Sequence, residues 1–395
     1  MPSWTRIFSR GRRHQRRQSS LRPTVLLILI LIACVLHNRA LASNFSKYVV
    51  TDSNASFFNV QRHVDSADPI NQNTFQDCPR KTLAQPIDYF ITIPAFYKDP
   101  EGWRRASRPF FIFESQLIEF ASHYVETGNS KYAHCLVGLL SYWAERRALL
   151  AFDYEGNHGQ AWYAVEWTAA TAGLTYSIVR SEPSLNDQLQ QLVEAWLSEV
   201  VTKQISYPGN RTSCCNNHLY WRGLEAAIVG VITDNNQLFQ YGIAAYAAAL
   251  KVMNPDGSLP LEMDRGKRAL HYQNFSVLPL VFLAEVAAHQ GYDLYNLSFD
   301  GRNIHLAVQF LLKGLDDPAV IRRYTAEEQD LSFIDRRDEL NWLEPYHRRF
   351  PGPETASWLA RLRPLSHTWT GGPSTLYFAG LEVARHQAIQ VAGPQ

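Results

Sequence analysis

Metal-ligand spacing is missing from this chain. Its 13 histidines are scattered. There is no HExxH pair and no CxxC, so the common zinc patterns are excluded. There is no GxxxxGK[ST] loop to cradle a nucleotide phosphate. There is no GxSxG elbow for a serine hydrolase. No run of alternating apolar and polar residues marks a strand, and no repeat of fixed period occurs. Paired carboxylates for glycoside hydrolysis stay open, because Asp and Glu are numerous, but no pair stands out. Net charge is also small, with 38 Lys and Arg against 37 Asp and Glu.

The basic residues are not evenly spread. Residues 1 to 23 carry seven Arg and no acidic residue. Thr24 to Leu36 follows as an apolar run of thirteen. A bilayer span needs about twenty residues, so the run is too short to cross comfortably. Ala40-Leu41-Ala42 before Ser43 fits a small-residue cleavage site. The expectation is a signal peptide over 1–42 and a periplasmic or secreted product with no stable membrane contact. An alternative is a lipoprotein box, Leu31 to Cys34, with Cys34 lipidated. Removal of 1–42 leaves 30 basic residues against 37 acidic ones. A chain of that balance is not a general polyanion binder, and no nucleic acid partner is expected. An anionic substrate must meet a local basic patch.

Cysteine is scarce, with five in the chain. Four lie beyond residue 42: Cys78, Cys135, Cys214 and Cys215. Export permits disulfides, and four cysteines allow three pairings. A Cys78–Cys135 bridge would close a loop worth roughly 4 kcal/mol in the chain-entropy model. Adjacent Cα atoms sit closer than a disulfide prefers. From the residues alone, Cys214 and Cys215 read as free or separately paired thiols.

Residues 43–80 are polar and read as an extended arm. From about 110 the period is helical. The expected helices are 111–126, 130–151, 158–180, 184–204, 217–232, 235–253, 270–289 and 303–315, with short Gly, Pro, Asn and Asp connections. Consecutive hairpins of this kind stack into an all-α toroid or solenoid, here over 81–385. Residues 92–109 carry Pro and Gly at both ends and read as a mobile loop or lid before the first helix, or as an ordinary surface loop.

Aromatics are what the chain has in plenty: ten Trp, nineteen Tyr and twenty Phe. They fill a core or line a sugar cleft. Gln160, Tyr163 and Trp167 share one helix face and make either a core stripe or a sugar platform. The densest chemistry lies in Cys214-Cys-Asn-Asn217-His218-Leu-Tyr-Trp221 and in Arg265-Gly-Lys-Arg268-Ala-Leu-His271-Tyr272. Asn and Arg can neutralise a carboxylate so that its neighbouring carbon loses a proton. His and Tyr can take that proton and protonate a departing oxygen. The bland alternatives are a helix cap at the Asn residues and ion pairs of Arg265 and Arg268 with Glu262 and Asp264.

These two clusters resemble the alginate lyases of polysaccharide lyase family five, which carry Cys-Cys-Asn-Asn-His-x-Tyr-Trp and Arg-x-x-Arg-Ala-Leu-x-Tyr-x-Asn. The likeness extends to Trp342-Leu-Glu-Pro-Tyr346 and Gly371-Gly372 and covers roughly residues 80 to 380. It implies an α/α toroid that cleaves mannuronate-rich chains by β-elimination. It implies an anionic polysaccharide as partner, no metal or cofactor, and a monomer. It places Asn217, His218, Arg265 and Tyr272 in catalysis. It places Tyr97, Gln160, Tyr163, Trp167, Arg268 and His271 at substrate, with Tyr97 on a lid. It also implies that Cys214 pairs with Cys215, which leaves Cys78 for Cys135. Phe96, Leu219 and the His271-Tyr272-Gln273 context depart from the family pattern. They leave the choice between mannuronan and glucuronan open.

Overall fold

The computed structural model describes residues 45–58, 78, 82–154, 159–210, 212–336, 338–381 and 383–384. The expected signal segment lies outside them. Among the described residues there is no strand, only two isolated bridges, Phe299 with Arg302 and His367 with Gly372. No helix among them is long and apolar enough to cross a membrane.

Eight long helices make the frame: α1 Pro100–Thr127, α2 Ser130–Glu145, α3 Gly159–Val179, α4 Asp187–Ile205, α5 Asn217–Ile232, α6 Asn236–Val252, α7 Ala269–His289 and α8 Ile304–Asp316. Their starts follow from asparagine. Asn129, Asn186, Asn216, Asn235 and Asn303 each accept from a backbone N–H one or two residues inside α2, α4, α5, α6 and α8. An Asn side chain there satisfies a donor that has no partner inside the helix.

The helices form two layers. Helices α3, α5 and α7 are buried almost all round, as a helix in the middle of a fold must be. They pack in succession, α1 on α3, α3 on α5 and α5 on α7. Helices α2, α4, α6 and α8 lie outside them and bury one face each. This is an α/α toroid, as the sequence led one to expect. Where α5 meets α6 the backbones nearly touch. A Cβ on Gly242 would stand 2.6 Å from both the Ala227 Cβ and the Gly223 oxygen, so only glycine fits there.

Two boundaries differ from the sequence reading. The first helix starts at Pro100, not 111, so half of the supposed loop 92–109 is helical. Pro100 occupies the first turn, where proline is tolerated, and the Asp99 carboxylate accepts from Gly102 N–H at 2.8 Å. The loop is therefore short, running only to Asp99. The second helix stops at Glu145 rather than 151. Arg147 and Leu149 then turn with φ of 52° and 63°, and Ala148 and Leu149 are buried.

Residues 45–58 lie as a non-helical arm across the far ends of α6 and α7. Val50 N–H donates to Asn236 Oδ1 at 2.7 Å and Val49 N–H to the Tyr292 hydroxyl at 3.0 Å. Gln290 Oε1 accepts from Thr51 and Asp52 N–H at 2.8 and 3.0 Å. Phe58 packs on Tyr377, ring centres 4.7 Å apart. Both disulfides are present, Cys78–Cys135 and Cys214–Cys215. The adjacent pair overturns the reading from residues alone and agrees with the resemblance.

Candidate active site

Four inner helices point their N-terminal ends at one cavity of about 370 Å³. Helix α1 contributes Trp103 and Phe111, and α3 contributes Gln160, Tyr163 and Trp167. Helix α5 contributes Asn217 and His218, and α7 contributes His271, Tyr272 and Phe275. Unpaired N–H groups and aligned peptide dipoles make such ends electropositive. A larger cavity, about 700 Å³, lies at the opposite end of α7 around His289 and Tyr292 and contains none of these groups.

The aromatic groups stand in two stacks. His218 lies face to face with Tyr163, ring centres 3.5 Å apart and planes 12° apart. Trp167 stacks on Trp369 at 4.0 Å. Together with Phe275 they make a flat-walled cleft of the kind pyranose faces stack against. Tyr97 is half exposed and reaches in so that its hydroxyl meets that of Tyr272 at 2.6 Å. Two guanidiniums lie over these phenols. Arg265 sits 3.7 Å above the Tyr272 ring and Arg268 3.9 Å above the Tyr97 ring.

All ten site residues expected from the sequence lie around this cavity. Eight line it directly, and Arg265 and Arg268 stack on the two tyrosines of its wall. The alternative in which these arginines pair with Glu262 is not what the structure shows. Glu262 accepts from the Asn217 backbone N–H at 2.8 Å and from the Asn217 amide at 3.2 Å.

Electrostatics separates the two titrating groups. Burial, with Arg222 and Arg265 nearby, holds the His218 imidazole well below its ordinary range, so it is neutral. Burial pushes the Tyr272 phenol up, and Tyr97 adds to that, while Arg265 opposes it. A neutral imidazole and a protonated phenol in one cleft suit a base and an acid.

The sequence reading missed a layer of buried acids behind the cleft. Glu166, fully buried, has an oxygen 3.5 Å from His218 Nδ1. Burial pushes Glu166 and Glu225 well up, and the buried Arg222 beside them opposes. Glu339 pairs with His271 at 2.7 Å. Burial raises Glu339, but His271 and Arg336 outweigh it and hold the group below its ordinary value. His367 is buried against Trp221 and is pushed down to about 4 by burial. The signal for this layer is a lone Glu inside an apolar helix run, as at Glu166 and Glu225. Among the described residues, no group of three His, Cys, Asp or Glu is placed to hold a metal ion.

Comparison with other proteins sets this geometry in a family. The alginate lyase family model matches residues 95–321. A Tyr-to-Phe variant of alginate lyase A1-III, complexed with tetrasaccharide, superposes with a TM-score of 0.75 at 35% identity, covering 85% of this chain and 98% of that one. A polysaccharide lyase of Stenotrophomonas maltophilia is 29% identical over 71% of this chain and 84% of its own. An alginate lyase of Pseudomonas syringae is 28% identical over 62% of this chain and 65% of its own.

Proposed function

The chain belongs to the alginate lyase family, and from that premise we propose that it cleaves mannuronan, a β-1,4-linked uronan, by β-elimination. It is a polysaccharide lyase. The C5–H electrons form a C4–C5 double bond, the C4–O bond breaks, and the leaving oxygen takes a proton. One product carries a 4,5-unsaturated uronate at its new non-reducing end.

Arg265 and Asn217 neutralise the carboxylate on C5, which stabilises the charge that develops as the proton leaves. His218 or Tyr272 takes that proton, according to the sugar's stereochemistry, and Tyr272 protonates the leaving oxygen. The observation that carries this assignment is geometric: Asn217, His218 and Tyr272 line one cavity, with the Arg265 guanidinium 3.7 Å over the Tyr272 ring. Tyr163, Trp167, Gln160, Arg268 and His271 hold the neighbouring sugars. Tyr97 lies on the lid. The arginines supply the positive charge at the carboxylate, so no cofactor is called for. Residues 81–385 act as the lyase domain, and the leader over 1–42 fits export to the periplasm or beyond.

Glucuronan is a second substrate, because its carboxylate sits on the same carbon and Phe96, which lines the cavity, departs from the family pattern. A panel of mannuronan, guluronan and glucuronan, read by the ultraviolet absorbance of the unsaturated uronate, tests the assignment. Absorbance should rise on mannuronan. Chain shortening without new absorbance would mean hydrolysis instead.

A further inference from the structure

Asn217 is the wrong way round for the task just given to it. Its amide nitrogen donates to both Glu262 oxygens, at 3.2 Å each. Its Oδ1 is buried and has no partner. The residue lines the cavity. A substrate carboxylate arriving there would find the amide hydrogens already engaged and an unpaired acceptor beside them. The amide hydrogens it needs are directed at Glu262.

The two ends of a carboxamide have the same shape, so a half-turn of the side chain exchanges them. After that turn Oδ1 faces Glu262 and the NH2 faces the cavity. The turned state is stable only if Glu262 can donate. Its two oxygens are not alike. Oε1 already accepts from the Asn217 backbone N–H at 2.8 Å and from the Ser276 hydroxyl at 3.1 Å. Oε2 meets only the Asn217 amide. A proton on Oε2 would donate to the turned Oδ1 and leave no buried polar atom without a partner once substrate is bound.

We propose that Glu262 is a positioning residue: it carries a proton on Oε2 and so turns the Asn217 amide to present its NH2 to the substrate carboxylate. Glu262 has 1% of its surface exposed. Burial raises it above the ordinary carboxylate value, against the opposing pull of the Asn217 donors, Arg265 and Ser276. The groups that face it are Asn217 and Tyr220 from α5, Ser276 from α7, and Arg265 beyond its own short helix Pro260–Met263. The protonated acid also removes a negative charge from beside the arriving polyanion.

The proposal rests on the reading of Asn217 as a carboxylate neutraliser, and three proteins tested together separate the two. Wild type, Glu262→Gln and Asn217→Ala are assayed on mannuronan across the pH range. In Glu262→Gln the oxygen must accept from Asn217 N–H and Ser276, so its NH2 takes the Oε2 place and donates to the turned Asn217. That variant should hold kcat/KM within roughly threefold of wild type, since every hydrogen bond is kept. It should also lose the fall in activity that wild type shows as rising pH ionises Glu262. Burial moves His218 downward and Tyr272 upward, and the comparison with Glu262→Gln identifies the limb that belongs to Glu262. A folded Glu262→Gln that loses more than roughly tenfold while Asn217→Ala is also inactive overturns the proposal alone. So does a Glu262→Gln that keeps the alkaline limb. Full activity in Asn217→Ala overturns the reading of Asn217 itself. If Glu262→Gln fails to fold, Ser276→Ala carries the test. It removes one donor to the carboxylate, so the limb should move to higher pH, and an unmoved limb overturns the proposal.

Discussion

Tyr272 is the residue on which the chemistry turns. Burial and two neighbours set its state: burial raises it, Arg265 over its face pulls it down, and Tyr97 raises it further. The phenol therefore stays protonated at neutral pH and has a proton to give. Tyr272→Phe removes one hydroxyl and almost no volume. The variant should fold, keep its substrate affinity and lose about 10²–10⁴-fold in kcat, the usual scale of general acid catalysis. Turnover near wild type in the absorbance assay would remove Tyr272 from the role. The ten expected site residues were legible because Asn217, His218, Arg265 and Tyr272 lie in two compact clusters, whereas Phe275, His367 and Trp369, which also line the cleft, were not singled out. Nor were the acids behind them. Glu166 faces His218 from another helix, and Glu262 faces Asn217 across 45 positions of chain. A lone Glu in an apolar run carries no mark of the partner that keeps it there.

Helix starts were legible for a similar local reason, since an Asn cap is a neighbour of the N–H it serves. What joins helices was less so. Glu114 on α1 is the clearest case. It accepts from Thr168 on α3 and from Trp369, whose ring stacks on Trp167 at the cleft floor. One carboxyl thus ties two helices and the aromatic floor together. Burial pushes it up to about 7, against the Thr168 and Trp369 hydrogen bonds. In the unfolded chain it returns to an ordinary value near 4.5. The folded state therefore binds its proton more tightly. Its contribution to stability is whole below the unfolded value and is lost as pH rises through about 7, a change of about 3 kcal/mol in all. Glu114→Gln cannot ionise and should lose this dependence. Urea midpoints for both proteins on either side of the window should diverge, with wild type falling more steeply. Parallel curves would show that Glu114 is already ionised in the folded state.

At the scale of the whole molecule, the toroid is held at its edges by covalent and polar ties. The Cys78–Cys135 bridge fixes the segment before α1 to α2 with a sequence separation of 57. Cutting a loop of that size is worth roughly 4 kcal/mol in the chain-entropy model. Cys135→Ser should lower the thermal midpoint by several degrees while leaving kcat close to wild type, because the bridge lies away from the cleft. A midpoint unchanged in the variant would mean that packing alone holds the segment. The toroid itself followed from hairpin after hairpin of helical period. The start of α1 did not, because a proline was read as a break where it serves as a first turn.

The docked arm has a consequence for the order in which the protein is made. Residues 49 to 52 leave the ribosome early, yet their partners Gln290 and Tyr292 follow 238 to 243 positions later. Phe58 waits longer still, for Tyr377. The first part of the described chain to be synthesised is thus among the last to find its place. Until synthesis passes Tyr292, the far ends of α6 and α7 stay open, and a nascent chain halted before that point holds an unlatched ring.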